Sequence, residues 1–295
     1  MTAAVSDGSG IWSVVPSAGL HLIRLDDAIY AKRDGVFSRL PGGTSLDDLL
    51  RLSLDELRGL LDQDRPPVSL RAGAVIEAPI QSQEVWAAGV TYQRSLEART
   101  DEAVSADPYD RVYAARRPEI FFKATAGRTR GPGQAVFIRS DSTWDVPEPE
   151  LAVICNSRLE VVGYTIGNDM SSRSIEGENP LYLPQAKVFD GCCALGPAVA
   201  LTWDFSPGDR KIELEIRRNG AVVYESATTT SAMRRSIPEL VDYLGRDQRF
   251  EAGFILLTGT GIVPPSDLSL REHDEVTIRI DGIGVLTNPI RRHAS

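Results

Sequence analysis

The chain has 295 residues, and its 32 Lys and Arg against 41 Asp and Glu give a formal charge of −9, the wrong sign for a nucleic-acid-binding protein. A composition of 42% hydrophobic and 25% charged residues is enough to bury a sizeable core, which excludes disorder as the main state. No apolar run reaches the roughly 18 residues of a membrane helix, and the opening MTAAVSDGSG lacks the basic and apolar regions of a signal peptide, so a cytoplasmic protein without membrane or nucleic-acid partners is expected. Cys155, Cys192 and Cys193 are odd in number and two are adjacent, which leaves neither a disulfide framework nor a CxxC zinc site and predicts buried thiols.

Residues 1–78 read as a small N-terminal α/β domain and 79–295 as a larger strand-rich one. Thr44 with Asp47, and Ser53 with Glu56, set an N-cap ahead of an acid three residues later, before leucine-rich stretches; two short helices follow. Asp64-Arg65-Pro66-Pro67 then stops the helical pattern, because proline lacks an amide hydrogen and drives its predecessor extended. A helical stretch is expected from Ser95 to about Arg116, interrupted at Asp107-Pro108. The basic segment Gly127–Gly133 has no GK[ST] and reads as a mobile loop rather than a phosphate cradle.

Farther along, Asn219-Gly220 and Asp281-Gly282 each separate two strand-like runs and predict hairpins. Ser236 and Glu239 open a helix that runs to about Leu244. Strands do not alternate regularly with helices, so a doubly wound nucleotide fold is disfavoured and a β-rich α+β fold is expected. His21, His273 and His293 lack ligand spacing.

The most informative segment is Trp144 to Ile154. Pro147 and Pro149 hold the backbone extended, so Glu148 and Glu150 project to one side. Two such carboxylates repel unless one is protonated or a cation lies between them, which leaves an acid/base dyad or a metal. LAVIC and LEVVGYTIG look like the arms of a hairpin turning at about Asn156-Ser157-Arg158, with opposing residue numbers summing to roughly 315 by ladder arithmetic. Asp169 would then oppose position 146 and share the face of both glutamates. Three oxygen ligands from neighbouring strands suit Mg²⁺ or Mn²⁺, or Ca²⁺, better than zinc. The competing reading is three acids on a solvated sheet face.

These blocks, together with Gly89-Val90-Thr91-Tyr92, Pro118–Lys123, Lys187–Asp190, Leu195-Gly196-Pro197, Thr258–Gly261 and Gly282–Pro289, resemble the fumarylacetoacetate hydrolase family over about residues 85–290. The resemblance implies a mixed β-roll and a divalent metal held by Glu148, Glu150 and Asp169, on which a 2-oxo acid substrate sits. The hydrolases of that family commonly carry a catalytic His three residues after the Tyr; here that position is Ser95, so the water-activating dyad is absent. PEIFFK, LYLPQAKVFD and GTGIVPP instead resemble its 2-keto-3-deoxy-D-arabinonate dehydratase branch.

That branch implies removal of water from a 2-keto-3-deoxy sugar acid, with 2,5-dioxopentanoate as the product from a pentonic one. Glu119 and Lys187 are then the candidates for proton transfer, and Lys123, Thr260, Arg94 and Ser95 for substrate contact, Arg94 as part of a lid. The family also implies a homodimer or homotetramer. Acylpyruvate (or fumarylpyruvate) hydrolase, oxaloacetate decarboxylase and a non-catalytic metabolite-binding module are the alternatives.

Overall fold

The computed structural model describes residues 14–26, 28–92 and 114–293. Arg94, Ser95 and the expected helical stretch through residue 113 lie outside the described residues. The first strands are β1 (Leu20–Leu25), β2 (Ala28–Arg33), β3 (Val36–Arg39), β4 (Ile76–Glu77), β5 (Glu84–Gly89) and β6 (Glu119–Ala124). They are followed by β7 (Thr129–Arg130), β8 (Val136–Ile138), β9 (Asp145–Val146), β10 (Pro149–Cys155), β11 (Val161–Asp169) and β12 (Ser171–Ser172). The last six are β13 (Cys193–Leu201), β14 (Lys211–Arg218), β15 (Ala221–Thr229), β16 (Phe254–Leu257), β17 (Glu275–Ile280) and β18 (Gly284–Arg292).

The main sheet runs β3-β2-β1-β13-β11-β10-β16-β5-β6, with β4 beside β1 and β7 beside β13; a second sheet runs β15-β14-β17-β18-β8. Pairing is mixed, β16 with β5 and β18 with β8 being parallel and most others antiparallel. β1 pairs with β13, so the leading strands are continuous with the main sheet. Every residue of β10 and β13 is buried, as expected for strands covered on both faces. The apolar faces of both sheets share one core, with Leu151 and Val153 from one and Leu214, Ile278 and Leu286 from the other. None of the described helices is long and apolar enough to cross a membrane.

Local signals are obeyed closely. Ser53 caps the helix Leu54–Leu61 and Glu56 closes the reciprocal box. The preceding helix, Leu46–Leu49, starts one residue later than expected: its box is Ser45 with Asp48, while Asp47 is turned to Ser82 and Gln83 across the chain. Ser236 caps the helix Ile237–Gly245. Asn219 and Gly220 both take positive φ, 51° and 81°, the turn whose twist matches its strands. All three cysteines are buried and free.

The segment Gly127–Gly133 is not a loose loop. Thr129 and Arg130 pair in parallel with β13, the Asn288 amide donates to the Gly131 and Gln134 carbonyls, and Gly133 N–H donates to Thr287 O. Its backbone groups are satisfied by elements far away in sequence, which local composition does not report.

β9 and β12 form a two-stranded sheet beside the end of β10. Its Asp145 is 1% exposed, and burial raises the carboxyl pKa from 3.8 to about 6, only partly offset by Ser142 and by Arg292 Nη2 at 4.0 Å. Between those two values the folded chain keeps a proton that the unfolded chain has lost, so this group's contribution to stability falls as pH rises through the window. Asp145→Asn is expected to flatten the unfolding free energy between pH 4 and 6 and to stabilise the protein at pH 7 by up to about 3 kcal/mol. Urea unfolding at stepped pH checks this, and an unchanged slope contradicts it.

Candidate active site and metal centre

The site begins with the hairpin of β10 and β11. Pro149 opposes Asn168 and Leu151 opposes Ile166, so paired numbers sum to 317 rather than 315, and Asp169 N–H donates to Glu148 O at 2.9 Å. The turn is centred one residue later than expected because Asn156 organises it: its backbone N–H donates to Glu160 O, and its side-chain carbonyl accepts from the N–H groups of Arg158 and Glu160. Each pair therefore slips by two residues. A slip of two preserves every side chain's face, and Asp169 stays with the two glutamates.

Glu148, Glu150 and Asp169 each present a carboxylate oxygen within 4.8 Å of the others, and all three are at most 3% exposed. At an effective dielectric near 20, each pair of charges at that separation repels by about 3–4 kcal/mol, so the cluster needs positive charge. Among the described residues, three cations meet it. Arg173 Nη2 donates to Glu148 Oε1 at 2.8 Å, Lys187 Nζ to Glu148 Oε2 at 2.7 Å with Asp169 Oδ2 at 3.3 Å, and Lys123 Nζ lies 2.6 Å from Asp169 Oδ1.

Glu150 has a backbone donor, Gly259 N–H at 2.5 Å. Gly259 stands at φ 89°, with Thr91 Oγ1 filling the space a side chain would need. Burial, and then the Asp169 and Glu148 charges, push the Glu150 carboxyl well above the ordinary carboxylate range. A buried group of three converging carboxylates, one of them held in this unfavourable state, is a donor set suited to a hard divalent cation.

The cavity over the triad is also lined by Glu119, Phe121, Glu176, Lys187 and Thr260. Glu119, at the start of β6, pairs with Gly89, and its carboxylate lies across the place a Gly89 side chain would occupy. Lys187 ends the helix Leu183–Lys187 and is 1% exposed. Thr260 is 4% exposed, and its hydroxyl donates to Ile262 O at 3.1 Å.

Lys123 differs from expectation. It is absent from the cavity wall and fully buried, with Nζ donating to Met170 O at 2.8 Å and Lys187 O at 2.5 Å besides its pair with Asp169. An ammonium has three donors, and all three are used inside the protein, leaving none for a substrate carboxylate. Burial is the largest single influence and lowers its pKa, but the Asp169 carboxylate and the neighbouring Cys192 and Cys193 together reverse it, so the net shift is upward and favours the charged form.

Two residues of the site, Arg173 and Glu176, were not anticipated. They stand on the short helix Arg173–Glu178, whose only sequence signals are Ser172 in the N-cap position and an early acid, Glu176.

Glu150→Gln removes one charge from the repelling triad. The variant is expected to bind Mn²⁺ at least tenfold more weakly while its metal-free melting temperature does not fall. Manganese paramagnetic resonance and calorimetric melting read the two effects, and undiminished Mn²⁺ affinity contradicts the assignment.

Residues 84–291 match the fumarylacetoacetate (FAA) hydrolase C-terminal family. A probable 2-keto-3-deoxyxylonate dehydratase of Haloferax volcanii is 49% identical over 82% of this chain and 84% of its own length. A 2-dehydro-3-deoxy-D-arabinonate dehydratase of Saccharolobus solfataricus is 46% identical over 74% of each chain. The oxaloacetate tautomerase YisK of Bacillus subtilis is 32% identical over 59% of this chain and 61% of its own. A solved structure of a 2-keto-3-deoxy-D-arabinonate dehydratase complexed with magnesium and 2,5-dioxopentanoate superposes with a TM-score of 0.81 at 35% identity, covering 94% of this chain and 99% of that one. The fold built around the carboxylate hairpin and the family match spanning it agree: the chain belongs to the fumarylacetoacetate hydrolase family.

Proposed function

We propose that the protein removes water from a 2-keto-3-deoxy sugar acid, a pentonic one giving 2,5-dioxopentanoate, in a reaction that needs a divalent cation held by Glu148, Glu150 and Asp169. The observation that carries this reading is the buried triad opening onto a cavity that also holds Lys187 and Glu119. The two dehydratase relatives and the magnesium-containing structural neighbour support it. Ser95 in place of a water-activating His argues against the hydrolase alternative. The homo-oligomer, and the division into domains 1–78 and 79–295, belong to the same proposal.

A cation in this site supplies Lewis-acid polarisation of the substrate's C2 carbonyl, which acidifies the C3 proton. The protein's own groups then move protons. Glu119, a carboxylate at the cavity wall, accepts the C3 proton. Lys187, a donor to Glu148 with Asp169 at 3.3 Å, protonates the departing C4 hydroxyl. The C3–H and C4–O bonds break, C3=C4 forms and water leaves; a proton shift from C5 to C3 then gives the C4=C5 enol, and loss of its O5 proton with protonation at C4 yields the terminal aldehyde. Phe121, beside the Lys187 ammonium at 5.8 Å, keeps that side of the cavity apolar. Lys123 acts through others, fixing Asp169 and the carbonyls of Met170 and Lys187 in one arrangement.

The test is incubation of purified protein with Mg²⁺ and 2-keto-3-deoxy-arabinonate or -xylonate. Semialdehyde formation that chelator abolishes is expected, whereas pyruvate release or no turnover overturns the reading. Lys187→Met and Glu119→Gln are each expected to lower kcat by 10²–10⁴-fold, the span usual for a general acid or base.

Gly89→Ala separates geometry from chemistry. The three atoms nearest the added methyl all belong to the flexible Glu119 side chain, so the fold and Mn²⁺ binding are expected to survive while kcat falls at least tenfold. Full activity in Gly89→Ala would contradict a role for Glu119 at its observed position.

A further inference from the structure

Of the three acids in the triad, Glu150 is held differently. Glu148 forms salt bridges with Arg173 and Lys187, and Asp169 with Lys123 and Lys187. Among the described residues Glu150 has instead a single hydrogen bond, from the Gly259 N–H to its Oε2 at 2.5 Å. The rotation of this carboxylate therefore depends on one peptide unit.

That N–H belongs to the same peptide unit as the Thr258 carbonyl, and in a trans peptide the two point in opposite directions. The Thr91 hydroxyl donates to Thr258 O at 2.6 Å, and Thr91 is fully buried. Holding the carbonyl on one side aims the amide to the other, at Glu150. A Cβ on Gly259 would stand 2.0 Å from Thr91 Oγ1, so the hydroxyl lies directly over the residue whose φ of 89° makes the turn.

Both flanks of this peptide are anchored as well. Thr258 N–H and Oγ1 donate to Leu151 O, next to Glu150 on β10, at 3.1 and 2.8 Å, and Arg234 N–H donates to Thr91 O at 2.9 Å. A donor on the carbonyl also polarises the peptide and strengthens its N–H. Because an amide carries no net charge, it holds the carboxylate without repelling an arriving cation as an ammonium would.

We propose that Thr91 is a positioning residue of the metal centre, acting through the Thr258–Gly259 peptide to hold the Glu150 carboxylate ready for the cation. The inference rests on the reading of Glu150 as a metal ligand in the proposed function. Thr91 itself is absent from the cavity wall, so its effect reaches the site only through that peptide.

Mn²⁺ titration of the purified protein, followed by paramagnetic resonance, tests this. Thr91→Val keeps the bulk beside Gly259 and removes the donor; its Mn²⁺ affinity is expected to fall about tenfold, the lower end of what losing an outer partner of a metal ligand costs. Thr91→Ser restores the hydroxyl and is expected to return affinity to near that of the wild type. In the Glu150→Gln background Thr91→Val is expected to add almost nothing, because a residue that acts through Glu150 has lost its object. If Thr91→Val does not fold, Thr91→Ala carries the same expectations.

A role confined to closing the turn would lower the melting temperature of Thr91→Val and leave its Mn²⁺ affinity at the wild-type level, which overturns the proposal. Equal losses of affinity in the wild-type and Glu150→Gln backgrounds also overturn it. Undiminished Mn²⁺ affinity in Glu150→Gln alone removes the metal assignment itself, and the role of Thr91 with it.

Discussion

Three carboxylates held within 4.8 Å of one another inside a protein form the constraint around which the rest of this molecule is arranged. Left alone, their mutual repulsion and the cost of burying them would be prohibitive. Each acid is therefore tied to a group from a distant part of the chain: Glu148 to Arg173 and Lys187, Asp169 to Lys123 and Lys187, Glu150 to the Gly259 amide. The strands that carry them are correspondingly rigid, buried on both faces and paired on both edges. A loop would not hold three like charges in register; a hairpin at the centre of the main sheet does.

The same arrangement divides the basic residues by task. Lys123 is wholly enclosed, its donors spent on Asp169 and two backbone carbonyls, so it sets geometry. Lys187 lies at the cavity wall and touches two carboxylates, so it balances charge there and, in the proposed reaction, also serves the ligand. Arg173 connects the triad to the helix that also bears Glu176. Charge compensation and positioning are thus linked through a handful of side chains, and disturbing one alters the other.

Much of this was legible in the sequence because it is local. The prolines at 147 and 149, the two-residue spacing of Glu148 and Glu150, and the hairpin arms by themselves put three acids on one face. The predicted register was two residues off, since the Asn156 turn is longer than a minimal one, but a slip of two leaves the face unchanged. Capping boxes read well too, with Ser45 replacing Thr44 because Asp47 is recruited by Ser82 and Gln83. What the sequence hid is long-range. The pairing of β1 with β13, the anchoring of Gly127–Gly133 by Asn288, and the burial of Lys123 each depend on partners over 40 residues away. The helix bearing Arg173 and Glu176 was too short to leave a periodic pattern.

The central claim is that these three acids hold one divalent cation. Anomalous diffraction from crystals soaked in Mn²⁺ tests it most directly. A single strong peak about 2.1–2.3 Å from oxygens of Glu148, Glu150 and Asp169 is the result required by this account. A peak elsewhere, or none while Lys187 keeps its place between Glu148 and Asp169, would contradict it.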